Sequence, residues 1–138
     1  MDVAQSVKRL YGFRDYWLNI PPGHVNLQTT GIPFLRLEGL DNLRNCYSVG
    51  CLAGWLTTMP EFRHWLMETY QYGYRELRIA LCRGVIPLCY EYLFGTALQK
   101  PWNGLFACRG PEDIGSDWEI GLRRLEAQIT IARKDSIS

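Results

Sequence analysis

The chain is poor in the residues that most often carry chemistry. It has two histidines, His24 and His64, and its lysines are confined to Lys8, Lys100 and Lys134. Candidate bases that titrate near neutral pH are therefore few. A formal net charge of +1 excludes a global field that would draw in nucleic acid or an anionic membrane. No apolar run approaches the length of a membrane span, so no membrane association is expected. The polar, amphipathic start of the chain lacks the pattern of a signal peptide. The stretch from Gly50 to Gly54 lacks the lysine and hydroxyl of a phosphate loop. The carboxylates form no close pair in an apolar setting suited to acid–base work. The five cysteines, Cys46, Cys51, Cys82, Cys89 and Cys108, include no Cys-x-x-Cys pair. Their spacings suit zinc poorly, so neither a metal nor a cofactor is expected. An odd, loosely spaced set fits a reduced, cytoplasmic protein with mostly buried thiols.

What remains is ordinary in bulk and distinctive in detail. Over 138 residues, 47% are hydrophobic and 21% charged, the balance of one globular domain spanning 1–138 with a polar tail at 135–138. Arginine strongly outnumbers lysine, and there are five Trp, eight Tyr and five Phe. Planar guanidinium groups and rings are the side chains enriched at recognition hot spots.

Hydrophobic spacing predicts a mainly α fold of four to six helices, loop-rich, with room for one short β pairing. A first helix runs to about Leu18, with Val3, Val7, Leu10, Tyr11, Trp17 and Leu18 on one face and Lys8, Arg9 and Asp15 opposite. Gly12 is a weak spot within it, and Pro21-Pro22-Gly23 ends it. A second helix is expected from about Ser48 to Thr58. Pro60 suits the first position of a third, whose Phe62, Trp65, Leu66 and Tyr70 make an aromatic stripe. Pro87 can start a short helix that Gly95 closes in a left-handed conformation. Leu105 to Cys108 reads as a buried short strand. Ser116-Asp117-Trp118-Glu119 is a capping box, and Trp118, Leu122, Leu125, Ile129 and Ala132 follow it as an amphipathic seam. The seam is expected to face the core, homo-oligomerisation being its other use.

Several segments together resemble a family of small phage and prophage-type proteins. Pro21-Pro22-Gly23-His24-Val25-Asn26-Leu27 is similar to their P-x-E-H-x-(D/N)-M stretch. Cys46-x4-Cys51-Leu52-Ala53-Gly54-Trp55 resembles their C-G-T-x-x-C-(I/L)-A-G-W box. Met59 to Arg63, Leu93-Phe94-Gly95 and Ser116 to Arg124 follow in the same order. The chain departs in having Tyr47-Ser48 for Gly-Thr and Leu27 for Met. The resemblance implies a mobile-element origin and a helical fold, and no particular reaction.

Three functional readings follow. The favoured one is a non-enzymatic interaction protein that binds a host protein or complex in a bacterial cytoplasm, a defence complex being the natural target of a mobile element. Its candidate surface comprises Tyr70, Tyr72, Tyr74, Arg75, Arg78, Trp102 and Arg109. The second is a cysteine-dependent enzyme, because backbone N–H groups at a helix start stabilise a thiolate at Cys51. His24 would be its base and Asn26, or else Asn45 or Asp41, its orienting group. Ala53 and Gly54 equally let Cys51 serve as buried filler in a close helix contact. The third is an aromatic and arginine pocket for a small anionic ligand. Nucleic acid is disfavoured, since Asp117, Glu119 and Glu126 share a helix with Arg123, Arg124, Arg133 and Lys134.

Overall fold

The computed structural model describes residues 3–25, 27, 52–71, 85–95, 105–106 and 110–137. Within them lie five α-helices: α1 (Val3–Leu18), α2 (Leu52–Leu56), α3 (Pro60–Tyr70), α4 (Val85–Phe94) and α5 (Asp117–Ile137). A 3-10 turn at Pro22–His24 follows α1, and there is no β-strand among the described residues. The architecture is mainly α, in one compact domain. No helix among the described residues is long and apolar enough to cross a membrane.

The buried face of α1 is Ser6, Leu10, Phe13 and Trp17, not the face expected from apolar residues alone. Val3 and Leu18 are exposed, while Val7 and Tyr11 pack partly against the core. The spacing 6, 10, 13, 17 is a regular helical stripe, but it starts at a serine. That serine is buried because its hydroxyl donates to the Leu93 carbonyl at the end of α4. The last carbonyls of α4 are in fact satisfied one after another. Gly95 N–H reaches Glu91 O at 2.8 Å, Arg9 Nη1 reaches Tyr92 O at 2.7 Å, and Ser6 takes Leu93 O. A helix end has no intrahelical donors for these groups, so Ser6 and Arg9 of α1 complete the cap begun by Gly95. Gly95 has the positive φ expected of it, at 86°.

The main helix pair is α1 against α5. Trp17 and Trp118 fasten it reciprocally. Trp17 Nε1 donates to the Trp118 carbonyl at 3.0 Å, and Trp118 Nε1 donates to the Trp17 carbonyl at 3.2 Å. Gly121 lies beneath this pair, where an added Cβ would stand 2.4 Å from Trp17 Cζ2. The expected seam of α5 does face inward: Leu125, Ile129 and Ala132 are buried, and Trp118 and Leu122 pack against the core. The Ser116 hydroxyl accepts the Glu119 N–H at 3.2 Å, as a cap should. Contrary to expectation, α5 continues through the segment read as a polar tail, ending at Ile137. No proline or glycine interrupts Asp135 to Ile137.

Three further boundaries differ from the sequence reading. Helix α2 stops at Leu56, short of Thr58, and its expected start at Ser48 lies outside the described residues. The Thr57 and Thr58 hydroxyls turn back onto the Gly54 and Trp55 carbonyls, both at 2.6 Å. Such local side-chain bonds compete with helix propagation. Helix α4 begins at Val85, two residues before Pro87. A proline is tolerated there because first-turn N–H groups lack intrahelical acceptors. Leu105 and Phe106 are buried as expected but form a turn, while Ala107 and Cys108 lie outside the described residues. Phe106 packs edge-on against Tyr90 at 4.9 Å between centroids.

Candidate functional site

Helix α3 begins at Pro60, as the missing N–H of proline allows. Its aromatic stripe divides by depth. Phe62 and Leu66 are fully buried, Trp65 is half-buried, and Tyr70 is 37% exposed. Tyr92 of α4 closes the cluster, 5.4 Å from Phe62 and 5.3 Å from Trp65, both edge-to-face. Tyr70 sets its ring edge-on to Trp65 at 6.2 Å and donates its hydroxyl to Glu91. Aromatic pairs of this geometry add stability beyond their buried area.

Arg9 completes the cluster from α1. Its guanidinium lies 4.4 Å over the Tyr92 ring and 5.8 Å from that of Trp65, while Nη1 holds the Tyr92 carbonyl. The sequence reading put Arg9 on the solvent face. It is half-buried instead, because the true core stripe runs through Ser6 and Phe13 and Arg9 borders it. Including Phe13 in the stripe is the signal that would have found it. Burial raises the Tyr92 hydroxyl above the ordinary tyrosine pKa. The Arg9 charge partly opposes that shift, and Glu61 adds to it.

Above this cluster runs an open groove of about 600 Å³ between α1 and α3. Gln5, Lys8, Arg9, Gly12, Asp15 and Tyr16 form the α1 wall, which Asn19 extends just past the end of the helix. Glu61, His64, Trp65 and Glu68 form the α3 wall, with Met59 and Tyr92 also lining the space. Both walls recur at helical spacing, so each is one face of its helix. His64 lies in the groove and pairs with Glu68 at 3.1 Å, both side chains largely exposed. Asp15 pairs with Arg14 at 3.1 Å.

A second cavity of about 550 Å³ adjoins the first through Tyr16 and Asn19 and is also lined by Ile20, Pro21, His24 and Trp55. His24 is half-buried there, and its carbonyl accepts the Trp55 indole N–H at 3.0 Å. This bond ties the backbone at His24 to α2, the helix that follows Cys51 in the chain. Cys51, Asn26, Asn45 and Asp41 are outside the described residues, as are Tyr72, Tyr74, Arg75, Arg78, Trp102 and Arg109. Of the expected recognition surface, Tyr70 is described, and it adjoins the groove through Trp65. Cys89 is fully buried, its thiol directed at the Ala53 carbonyl at 4.0 Å. Among the described residues, no group of three or more His, Cys, Asp or Glu is placed to hold a metal ion. Compared with protein-family models, curated proteins and solved structures, the chain has no match among them.

Proposed function

We propose that the chain is a non-enzymatic binding protein that engages a host protein or complex through the groove between α1 and α3. The groove's floor carries the proposal. It holds half-buried Trp65 and Arg9 against buried Tyr92 as one preassembled aromatic and guanidinium cluster, and Trp and Arg are residue types enriched at interface hot spots. Holding these side chains in place before contact lowers the ordering cost of association. A host-defence component is the target that suits the mobile-element origin implied by the resemblance. A small anionic ligand fits the groove poorly, because Asp15, Glu61 and Glu68 stand among its walls.

The test is a photo-crosslinking amino acid placed at His64, on the groove wall, and in a second variant at Glu126, exposed on α5. After incubation with lysate of the host bacterium, the His64 variant is expected to give a discrete protein adduct and the Glu126 variant none. Adducts of equal yield at both positions, or none at His64, would refute the proposal. A second reading, a cysteine-dependent enzyme using Cys51 and His24, draws support from the Trp55–His24 bond, which ties the backbone at His24 to the helix that follows Cys51 in the chain.

A further inference from the structure

The outer face of α1 carries its own complement. Along the groove wall the exposed residues are Gln5, Lys8, Gly12 and Asp15, with Asn19 just past the end of the helix. Their alternating spacing of three and four keeps them on one stripe, about 21 Å long at the helical rise. A two-fold axis through Gly12 lays a second α1 antiparallel on the first. Gln5, seven positions before Gly12, then meets Asn19, seven positions after it. Lys8, four positions before, meets Asp15 and Tyr16, three and four positions after. Amide opposes amide and cation opposes carboxylate. Each contact occurs twice, as an interface between two identical surfaces requires.

Gly12 suits the crossing point. Glycine in the middle of a helix destabilises it relative to alanine, and here a Cβ would meet nothing within 4 Å. The fold of a single chain therefore does not require it. At a helix crossing, the missing side chain lets two backbones come closer than the usual separation of about 8–10 Å. The charges support the same arrangement. Lys8 has no ion-pair partner among the described residues. Asp15 meets Arg14 through Oδ1 alone, so Oδ2 of this 65% exposed side chain is left to accept a second cation. Tyr16 bonds Thr58 just ahead of α3, and Arg9 lies against Trp65 farther along it, so α1 and α3 run in opposite directions. Glu61 consequently stands with Asp15 at one end of the groove. Lys8 stands with Arg9 at the other, where Glu68 contacts His64. The α1 wall is thus basic at one end and acidic at the other, and the same wall turned end for end matches it. We infer that the chain self-associates, a second copy seating its α1 antiparallel in the groove with the two-fold axis at Gly12. The groove is that of the binding reading, but the inference goes beyond it, since dimer and host complex exclude one another.

Sedimentation equilibrium on the purified chain, with its concentration raised to about 1 mM, detects even weak association. The unmodified chain is expected to form a dimer that weakens as salt is raised. Lys8→Asp and Asp15→Lys each place like charges in both symmetric contacts and should weaken it about tenfold. An equimolar mixture of these two variants should regain the dimer, because each supplies the charge that the other lacks. That recovery also shows both variants to be folded. Gly12→Leu, its fold established by circular dichroism, should abolish association. A chain that stays monomeric throughout overturns the inference. So does a dimer indifferent to Gly12→Leu or to both charge reversals, or a mixture that fails to recover it. No lysate enters this assay, so its outcome is separate from that of the His64 adduct. A host adduct without the dimer leaves the binding reading standing and overturns this inference, and a dimer without the host adduct does the reverse.

Discussion

The same substitution, glycine to alanine, should have opposite effects at two helical positions of this chain. At Gly121 the new Cβ would lie 2.4 Å from Trp17 Cζ2 and 2.9 Å from Cε2. Carbon atoms in good contact stand about 3.5–4.0 Å apart, so ring and helix must separate by about 1 Å. The ring cannot yield easily. Trp17 is fully buried, edge-on to Phe13 at 6.2 Å, and tied to the Trp118 carbonyl. Overpacking of this kind costs about 1–3 kcal/mol. Strain on the two indole hydrogen bonds adds about 1 kcal/mol, and alanine's better helix propensity returns about 1 kcal/mol. The net expectation is a loss of roughly 1–3 kcal/mol.

At Gly12, with open space around the Cβ, only the propensity gain operates, and stability should rise by about 0.5–1 kcal/mol. Urea unfolding followed by circular dichroism and tryptophan fluorescence measures both variants against the unmodified chain. A Gly121→Ala protein as stable as the parent would refute the close approach of α1 and α5. The Trp17→Leu background supplies the internal check, because removing the ring should make Gly121→Ala nearly harmless there.

Ser6→Ala leaves the buried Leu93 carbonyl without its donor and should lower stability by about 1–2 kcal/mol despite alanine's helix preference. An unchanged urea midpoint would show that another group takes that carbonyl. Alkaline pH should also destabilise the fold. Burial raises the hydroxyls of Tyr90 and Tyr92, so the unfolded chain loses those protons first. Their contribution is complete below the ordinary tyrosine pKa of about 10 and falls as pH rises from there toward the raised native values, at up to about 1.4 kcal/mol per pH unit for each ring. Tyr90→Phe and Tyr92→Phe should each flatten the decline, and a stability profile level through pH 11 would contradict it. In site-resolved alkylation, buried Cys89 should stay unmodified until the protein unfolds. In the same experiment, rapid labelling of Cys51 well below the ordinary thiol pKa, slowed by His24→Ala, would bring the enzyme reading forward. An inert Cys51 would retire it.

Legibility in the sequence follows how local each determinant is. The cap at Ser116, the proline start of α3 and the glycine end of α4 each rest on a few neighbouring residues. All three were readable. The buried face of α1 was not, because Ser6 is polar and its partner, the Leu93 carbonyl, lies far along the chain. Apolar counting skipped both Ser6 and Phe13, and with them the reason Arg9 leaves solvent. The end of α2 was missed because threonine hydroxyls, not a breaker residue, close it. The groove has no local signature, since its walls belong to helices more than forty residues apart. Of the expected recognition residues, Tyr70 lies beside it. Lys8, Glu61 and Glu68 were unremarkable in sequence, and they gain meaning only from facing one another across the space.

The shape of that groove can be traced to the chemistry of one helix end. Among the last carbonyls of α4, that of Glu91 is taken by the Gly95 N–H, while those of Tyr92 and Leu93 follow it. The other two need donors from elsewhere, and Ser6 and Arg9 supply them from α1. Donors three residues apart on one helix, accepting neighbours on another, fix both the rotation and the height of α1 against α4. Once that register is set, Leu10, Phe13 and Trp17 point into the core. The adjoining stripe of Gln5, Lys8, Gly12 and Asp15 is turned toward α3 as the groove wall. Arg9 stands on the border between the two stripes. Its reach to a carbonyl and its planar stacking on Tyr92 draw on properties that lysine lacks. Its positive charge stays at the edge of the groove, beside Lys8 and across from Glu61 and Glu68 of α3. The residue that completes the end of α4 therefore also contributes one of the charges that line the groove.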